Sequence, residues 1–200
     1  ALSLNFDRLY AFRPDYGYRN RKGGIEYSDN NDGILLIDLQ ENRSKLLIAL
    51  ADIISIHYKN TMDNAQHWFN HIMISPNGKQ FIFLHRWLVG DKRYDSLILA
   101  DIDGQNIKCI ADDGMVSHCC WYNNDKVISF LRDKDMGDKY YMIDIWTRKK
   151  EIIGGGIIDK FGDGHPSIFK DQLLFDTYPN KSRMKELYVF NLNTSTLVKL

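Results

Sequence analysis

The chain has 200 residues, 44% of them apolar and 26% charged, with 26 basic side chains against 26 acidic ones. Such a composition buries a core and is not that of a disordered chain, and zero net charge lacks the basic face that bulk capture of nucleic acid or an anionic membrane requires. No apolar run approaches the length of a membrane span, and residues 1–7 lack the basic start and apolar centre of a signal peptide, which sets the expectation of a cytoplasmic protein.

In chain order, strands are predicted at 8–12, 33–38 and 44–48, the back of a blade without its first strand. Between the first two lies a polar, aromatic loop over 13–32 that carries Tyr16, Tyr18, Arg19, Arg21 and Lys22. The connection 52–69 holds His57, Tyr58, His67 and Trp68, enough apolar surface to pack. Three histidines then recur at equal intervals, His71, His118 and His165, with 118 − 71 = 47 and 165 − 118 = 47. Each is followed by a polar turn and a second apolar run (81–84, 127–131, 173–175), then by a closing run (97–101, 140–144, 187–191). A period in the forties with several short strands per unit is the mark of propeller blades. No stretch of twelve or more residues carries a helical period. The fold expected is therefore all-β, a single partial β-propeller over 1–200. It has a partial blade at 1–52 and three full four-stranded blades at about 71–115, 116–160 and 161–200. A solenoid of similar repeats is the alternative. Three full blades and most of a fourth leave a ring short, so further blades are expected beyond this chain.

Cys109, Cys119 and Cys120 show no C-x-x-C spacing, and neighbours in a strand point to opposite faces, so reduced thiols are expected. Asn42-Arg43-Ser44, Asn180-Lys181-Ser182 and Asn193-Thr194-Ser195 match the glycosylation triplet, a short pattern that also arises by chance. Gly154-Gly155-Gly156 precedes no helix pattern and is no phosphate cradle, Arg148-Lys149-Lys150 reads as a charged hairpin tip, and no Gly-x-Ser-x-Gly elbow offers a serine nucleophile.

First strands of blades line the axis of a propeller, so His71, His118 and His165 are expected around one mouth, placed to bind a metal or trade protons. A second ring is read from the ends of the second strands: His85, Arg132 and Tyr178, with Arg86 and Asp176 beside them. That ring is expected to bind a polar, anionic substrate. Trp87 and Trp121 are candidates for a sugar face, with core packing as the commoner fate.

The segments Asn70-His71, Phe83-Leu84-His85-Arg86, Asp103-Gly104-Gln105-Asn106, Ser117-His118-Cys119-Cys120-Trp121 and Leu187-Tyr188-Val189-Phe190-Asn191-Leu192 resemble, in order and spacing over about 65–200, the oligogalacturonate lyases, which are seven-bladed propellers. Asp163-Gly164-His165-Pro166-Ser167 and Asp176-Thr177-Tyr178-Pro179 resemble lyase-like propellers more closely. The resemblance implies a divalent metal, usually manganese, that neutralises a uronate carboxylate before β-elimination. It implies His165 as a metal ligand and His118 as a supporting catalytic histidine. The family's proton-abstracting arginine falls at Ser96, with Arg93 as the nearest substitute, and its remaining ligands come from a later His-Pro-His blade. The partner implied is an acidic oligosaccharide or polysaccharide. The alternative is a non-catalytic propeller that binds a glycan or a protein.

Overall fold

The computed structural model describes residues 1–18 and 30–200, so Arg19, Arg21 and Lys22 lie outside the described residues. Every strand pairs antiparallel with a neighbour in sequence, giving four sheets. The first has three strands, β1 (Leu2–Leu4), β2 (Gly33–Asp38) and β3 (Arg43–Ala49). The next has β4 (Gln66–Ile74), β5 (Gln80–Val89), β6 (Lys92–Asp101) and β7 (Lys108–Ala111). The third has β8 (Val116–Trp121), β9 (Lys126–Asp133), β10 (Gly137–Asp144) and β11 (Lys150–Ile152). The last has β12 (Ser167–Phe169), β13 (Gln172–Asp176), β14 (Leu187–Asn191) and β15 (Leu197–Lys199). The chain divides into two compact units, Ala1–Ile74 with Gly78–Cys109, and Ile110–Leu200 with Ser75–Asn77.

One expected strand is a helix. Residues 8–12 belong to α1 (Phe6–Phe12), whose N-cap Asn5 accepts from the backbone N–H groups of Asp7 and Arg8 through its side chain. The short apolar and aromatic run after Arg8, Leu9-Tyr10-Ala11-Phe12, reads as a strand, but the cap and the burial of adjacent Arg8 and Leu9 suit a helix turn. Arg8 is held by a buried ion pair to Asp32 and donates to the His67 carbonyl at 3.1 Å. The connection 52–69 packs through α2 (Leu50–Ile56), which buries Leu50 and Ile53, and through a 3-10 turn at Asn60–Met62.

In the first unit Phe69, Phe81, Phe83 and Ile98 pack with Ile34, Ile48 and Ile53. In the second, Ile128, Phe130 and Tyr140 of one sheet meet Leu173, Phe175, Tyr188 and Phe190 of the other. Each such aromatic, fully buried, contributes about 1.5–3 kcal/mol. The turns repeat as well as the strands. Asp144 Oδ1 accepts from Trp146 N and Thr147 N at 3.0 and 2.8 Å. Asn191 Oδ1, 191 − 144 = 47 residues later, accepts from Asn193 N and Thr194 N, both at 2.9 Å. Short oxygen-bearing side chains bond their own backbone two or three residues on, which fixes both hairpin tips. No helix among the described residues is long and apolar enough to cross a membrane.

Candidate functional site

The second unit brings two of the three laddered histidines together. The two residues of β8 between Val116 and Cys119, Ser117 and His118, face the single residue Phe130 of β9, a one-residue bulge. A bulge re-aims side chains that regular pleating would hold to one face. His118 Nδ1 lies 3.2 Å from Asp163 Oδ1 and 3.2 Å from Ser117 Oγ, and the Ser117 hydroxyl donates to the other oxygen of Asp163. Two residues beyond Asp163, the His165 backbone N–H donates to Asp176 Oδ1 at 2.6 Å. Its ring Nδ1 lies 2.9 and 3.0 Å from the two Asp176 oxygens. Gly164 allows this turn, because a Cβ there would stand 1.8 Å from the Asp176 carbonyl oxygen. The two imidazole centroids are 4.0 Å apart.

The tautomers follow from the partners. A carboxylate only accepts, so each imidazole carries its proton on Nδ1 and its lone pair on Nε2. Histidines that bind metals are held in this way, by a carboxylate on the far nitrogen that fixes the ring and raises its basicity. Rings in contact are too close to hold a substrate between them. At Asp176 burial favours the neutral acid, but the backbone and ring donors of His165, with the charge of Lys185, outweigh it and hold the carboxyl below its ordinary range. Tyr140, buried in the same unit, has its ionisation pushed up by burial and then by the charges of Asp163 and Asp176, so it stays a neutral phenol. Tyr178, 54% exposed, places its ring 6.2 Å from His165 and 6.3 Å from His118.

The other predicted site residues each have surroundings of their own. His71 belongs to the first unit. It opens the bulge of β4 in the left-handed region, φ 55°, with the Tyr16 ring 5.9 Å away. His118 is the second residue of its own bulge, so the equal sequence intervals conceal a one-residue offset between the two strands. Of the residues expected in a wet ring of strand ends, Arg132 and Tyr178 are exposed, but His85 and Arg86 are not. His85 is wholly buried within β5, and its Nε2 lies 3.0 Å from His67 Nδ1. Burial, then the charges of His67 and His57, hold His85 well below its ordinary pKa. Arg86 is buried beside it, with Nε 3.0 Å from Asp95. Burial pulls its guanidinium down to about 10 against the charge of Asp95, which still leaves it a cation at neutral pH. Arg93 reaches the same carboxylate at 3.2 Å. Arg132 does sit near the end of β9, exposed, and forks onto Asp138 at 2.7 and 2.8 Å. Ser96 is buried with its hydroxyl 3.2 Å from His57 Nε2. Trp87 is a core residue, stacked on Tyr94 and donating to Thr61 Oγ1 at 3.2 Å. Burial pushes the Cys120 thiol up to about 12, so it stays protonated, and no disulfide joins the three cysteines.

Two members of the histidine site were not among the predicted site residues, Ser117 and Asp163. Both signals were in plain view: Ser117 precedes His118, and Asp163 stands two residues before His165 in Asp-Gly-His.

No family model matches the chain, and no curated protein matches it. Among solved structures it is similar to an oligogalacturonate lyase in complex with manganese, with a TM-score of 0.57 and 11% identity over 85% of this chain and 48% of that one. It is also similar to TolB from Acinetobacter baumannii, with a TM-score of 0.53 and 12% identity over 88% of this chain and 39% of that one. The chain thus spans about half the length, or less, of the structures it matches. Both are β-propellers, and at this identity the likeness establishes the fold: an all-β partial propeller.

Proposed function

We propose that this chain carries part of the site of a metal-assisted lyase acting on uronate-containing oligosaccharides, with His165 as a metal ligand and His118 as the proton carrier. The observation that carries this reading is the pair of imidazoles in ring contact, each with Nδ1 tied to its own carboxylate. The donor set fits a divalent ion in kind, since imidazole nitrogens suit zinc and other first-row ions, and tight binding calls for three or four ligands in all. When bound, such an ion would neutralise the uronate carboxylate and make its C5 proton more acidic.

The chain's own residues do the rest. Asp176 orients His165 through two contacts, and Asp163 with Ser117 orients His118. The Nε2 lone pair of His118 takes the C5 proton, and the electron pair of the broken C–H bond becomes the C4–C5 double bond. That double bond forms as the C4–O bond breaks, its electron pair departing with the leaving oxygen, which takes a proton from solvent. Asp163 stabilises the imidazolium that forms. Tyr178 offers an aromatic face beside both imidazoles for a sugar ring.

The test is elemental analysis and product formation together. The protein incubated with manganese and a uronate oligosaccharide should release unsaturated product, and chelator should abolish it. His165→Ala should lose metal, whereas His118→Ala should keep metal and lose product. A second reading, a propeller that binds an acidic glycan without turning it over, is supported by Ser96, which stands where the resemblance expects the family's base and is buried against His57. Metal binding without product selects it.

A further inference from the structure

The same hairpin differs in length among the three four-stranded sheets. Two residues (90–91) join β5 to β6, three (134–136) join β9 to β10, and ten (177–186) join β13 to β14. The extra residues form a pinned finger. Thr177 N donates to Glu186 O at 2.9 Å and Glu186 N returns a bond to Thr177 Oγ1 at 3.1 Å. Further out, Asn180 N donates to Met184 O at 3.0 Å. Asn180 Oδ1 caps the tip by accepting from Ser182 N and Met184 N at 2.9 and 3.1 Å, with Arg183 left-handed at φ 60°. Three steps of extended chain give the finger a length of about 10 Å.

Its side chains are of one kind. Lys181, Arg183 and Lys185 are exposed, and none has a carboxylate within ion-pair distance among the described residues. The finger's acid, Glu186, is already taken by Lys199 and the Tyr188 hydroxyl. In the hairpin of β9 and β10, by contrast, Arg132 is neutralised by Asp138 and Lys134 by Asp113. The finger's root is the histidine site itself, since Asp176 ends β13 and the finger carries Tyr178. A chain of zero net charge thus gathers three cations on one finger, with Lys185 acting through its charge on Asp176 at the root, where Tyr178 lies beside the two imidazoles.

We propose that this finger is a length-reading subsite: it binds the carboxylates of sugar units flanking the one at His118 and His165, so that longer acidic chains bind more tightly. The inference rests on the proposed substrate class but not on the metal or on turnover. Three point charges on an exposed loop each contribute little, yet together they act on a polyanion and make its binding salt-dependent. Tyr178 and the narrow finger favour a single linear glycan over a nucleic acid duplex, whose contact surface is a broad basic face.

Calorimetric titration in the presence of chelator tests it, with oligogalacturonates of increasing length, a neutral oligosaccharide and a single-stranded oligonucleotide as probes. For the unaltered protein, affinity should rise with the length of the acidic oligosaccharide and fall with added salt. The variant K181A/R183A, which keeps Lys185 because its charge acts on Asp176, should bind long oligogalacturonates about tenfold more weakly, with a shallower salt dependence, and bind the shortest one unchanged. Both positions are exposed, so melting should be unaltered. Length-independent binding, an unchanged salt dependence in the variant, or equal affinity for the oligonucleotide would each overturn the proposal. Loss of metal and product in His165→Ala with length dependence intact would separate the two readings, as would the reverse.

Discussion

His85 donates from Nε2 to Nδ1 of His67 across 3.0 Å inside the first unit. The direction is fixed by Met62, whose carbonyl lies 3.4 Å from His67 Nε2 and can only accept, so His67 keeps its proton there. Around the pair stand Trp87, Phe69, the cation of Arg8 and, beyond Ser96, His57. Burial first, and then neighbouring positive charge, hold both imidazoles below their ordinary 6.5. On acidification the unfolded chain therefore takes up protons before the folded one. Stability contributed by the pair is complete above that value and is lost as pH falls through it toward the folded-state pKa values, at up to about 1.4 kcal/mol per pH unit for each imidazole. Urea denaturation between about pH 7.5 and pH 5 checks this. The slope should shrink in His85→Leu, and a flat profile in the unaltered protein would refute it.

The carboxylates behind the imidazoles should matter to metal without touching it. Asp176→Asn leaves His165 in place but replaces an ionised acceptor with an amide. Manganese affinity should fall by about 10–100-fold, the usual loss when such a partner is changed. Asp163→Asn should act on turnover more than on metal, since Asp163 faces the proposed proton carrier. Equal loss of metal in both variants would mean that both histidines are ligands.

Gly164→Ala is a small change in a site with no room for it. The added methyl would meet the Asp176 carbonyl oxygen at 1.8 Å, and the backbone there also positions the His165 N–H. A destabilisation of about 1–3 kcal/mol is expected from such overpacking, with weakened metal binding alongside. Chemical denaturation and a metal titration of the same variant read the two effects separately.

Asp95 is shared between Arg86, deeply buried, and Arg93 at the surface. Removing the carboxylate strands a buried guanidinium, so Asp95→Ala should cost about 3–5 kcal/mol of stability. The double replacement R86M/D95L, which removes both buried charges, should cost less than that single change. If the double variant is the less stable one, the pair is itself a net source of stability.

The repeat was legible because strands, turns and interval recur together, from the histidines to Asp144 and Asn191. The helix α1 was not, since a five-residue run with four apolar or aromatic members satisfies a strand and a helix turn alike, and only the Asn5 cap decides between them. The His118 and His165 contact followed from periodicity. The one-residue offset of His71 did not, because a bulge adds a residue without changing composition. His85 and Arg86 end an apolar run in the sequence and so read as a wet strand end. In the fold β5 continues to Val89, and its partners His67 and Asp95 come from the strands on either side. Partners of that kind are set by register, which one sequence does not display.

Each sheet here is finished by its own stretch of chain, because every strand pairs with the one made just before or just after it. During synthesis a blade can therefore zip shut as soon as its last strand clears the ribosome, without waiting for any distant segment. Nascent-chain force measurements on stalled lengths should register a separate folding event near the completion of each four-stranded sheet, the kinetic counterpart of short-range pairing. The His118 and His165 pair, which draws on the third and fourth sheets, would then be assembled only when the fourth sheet closes.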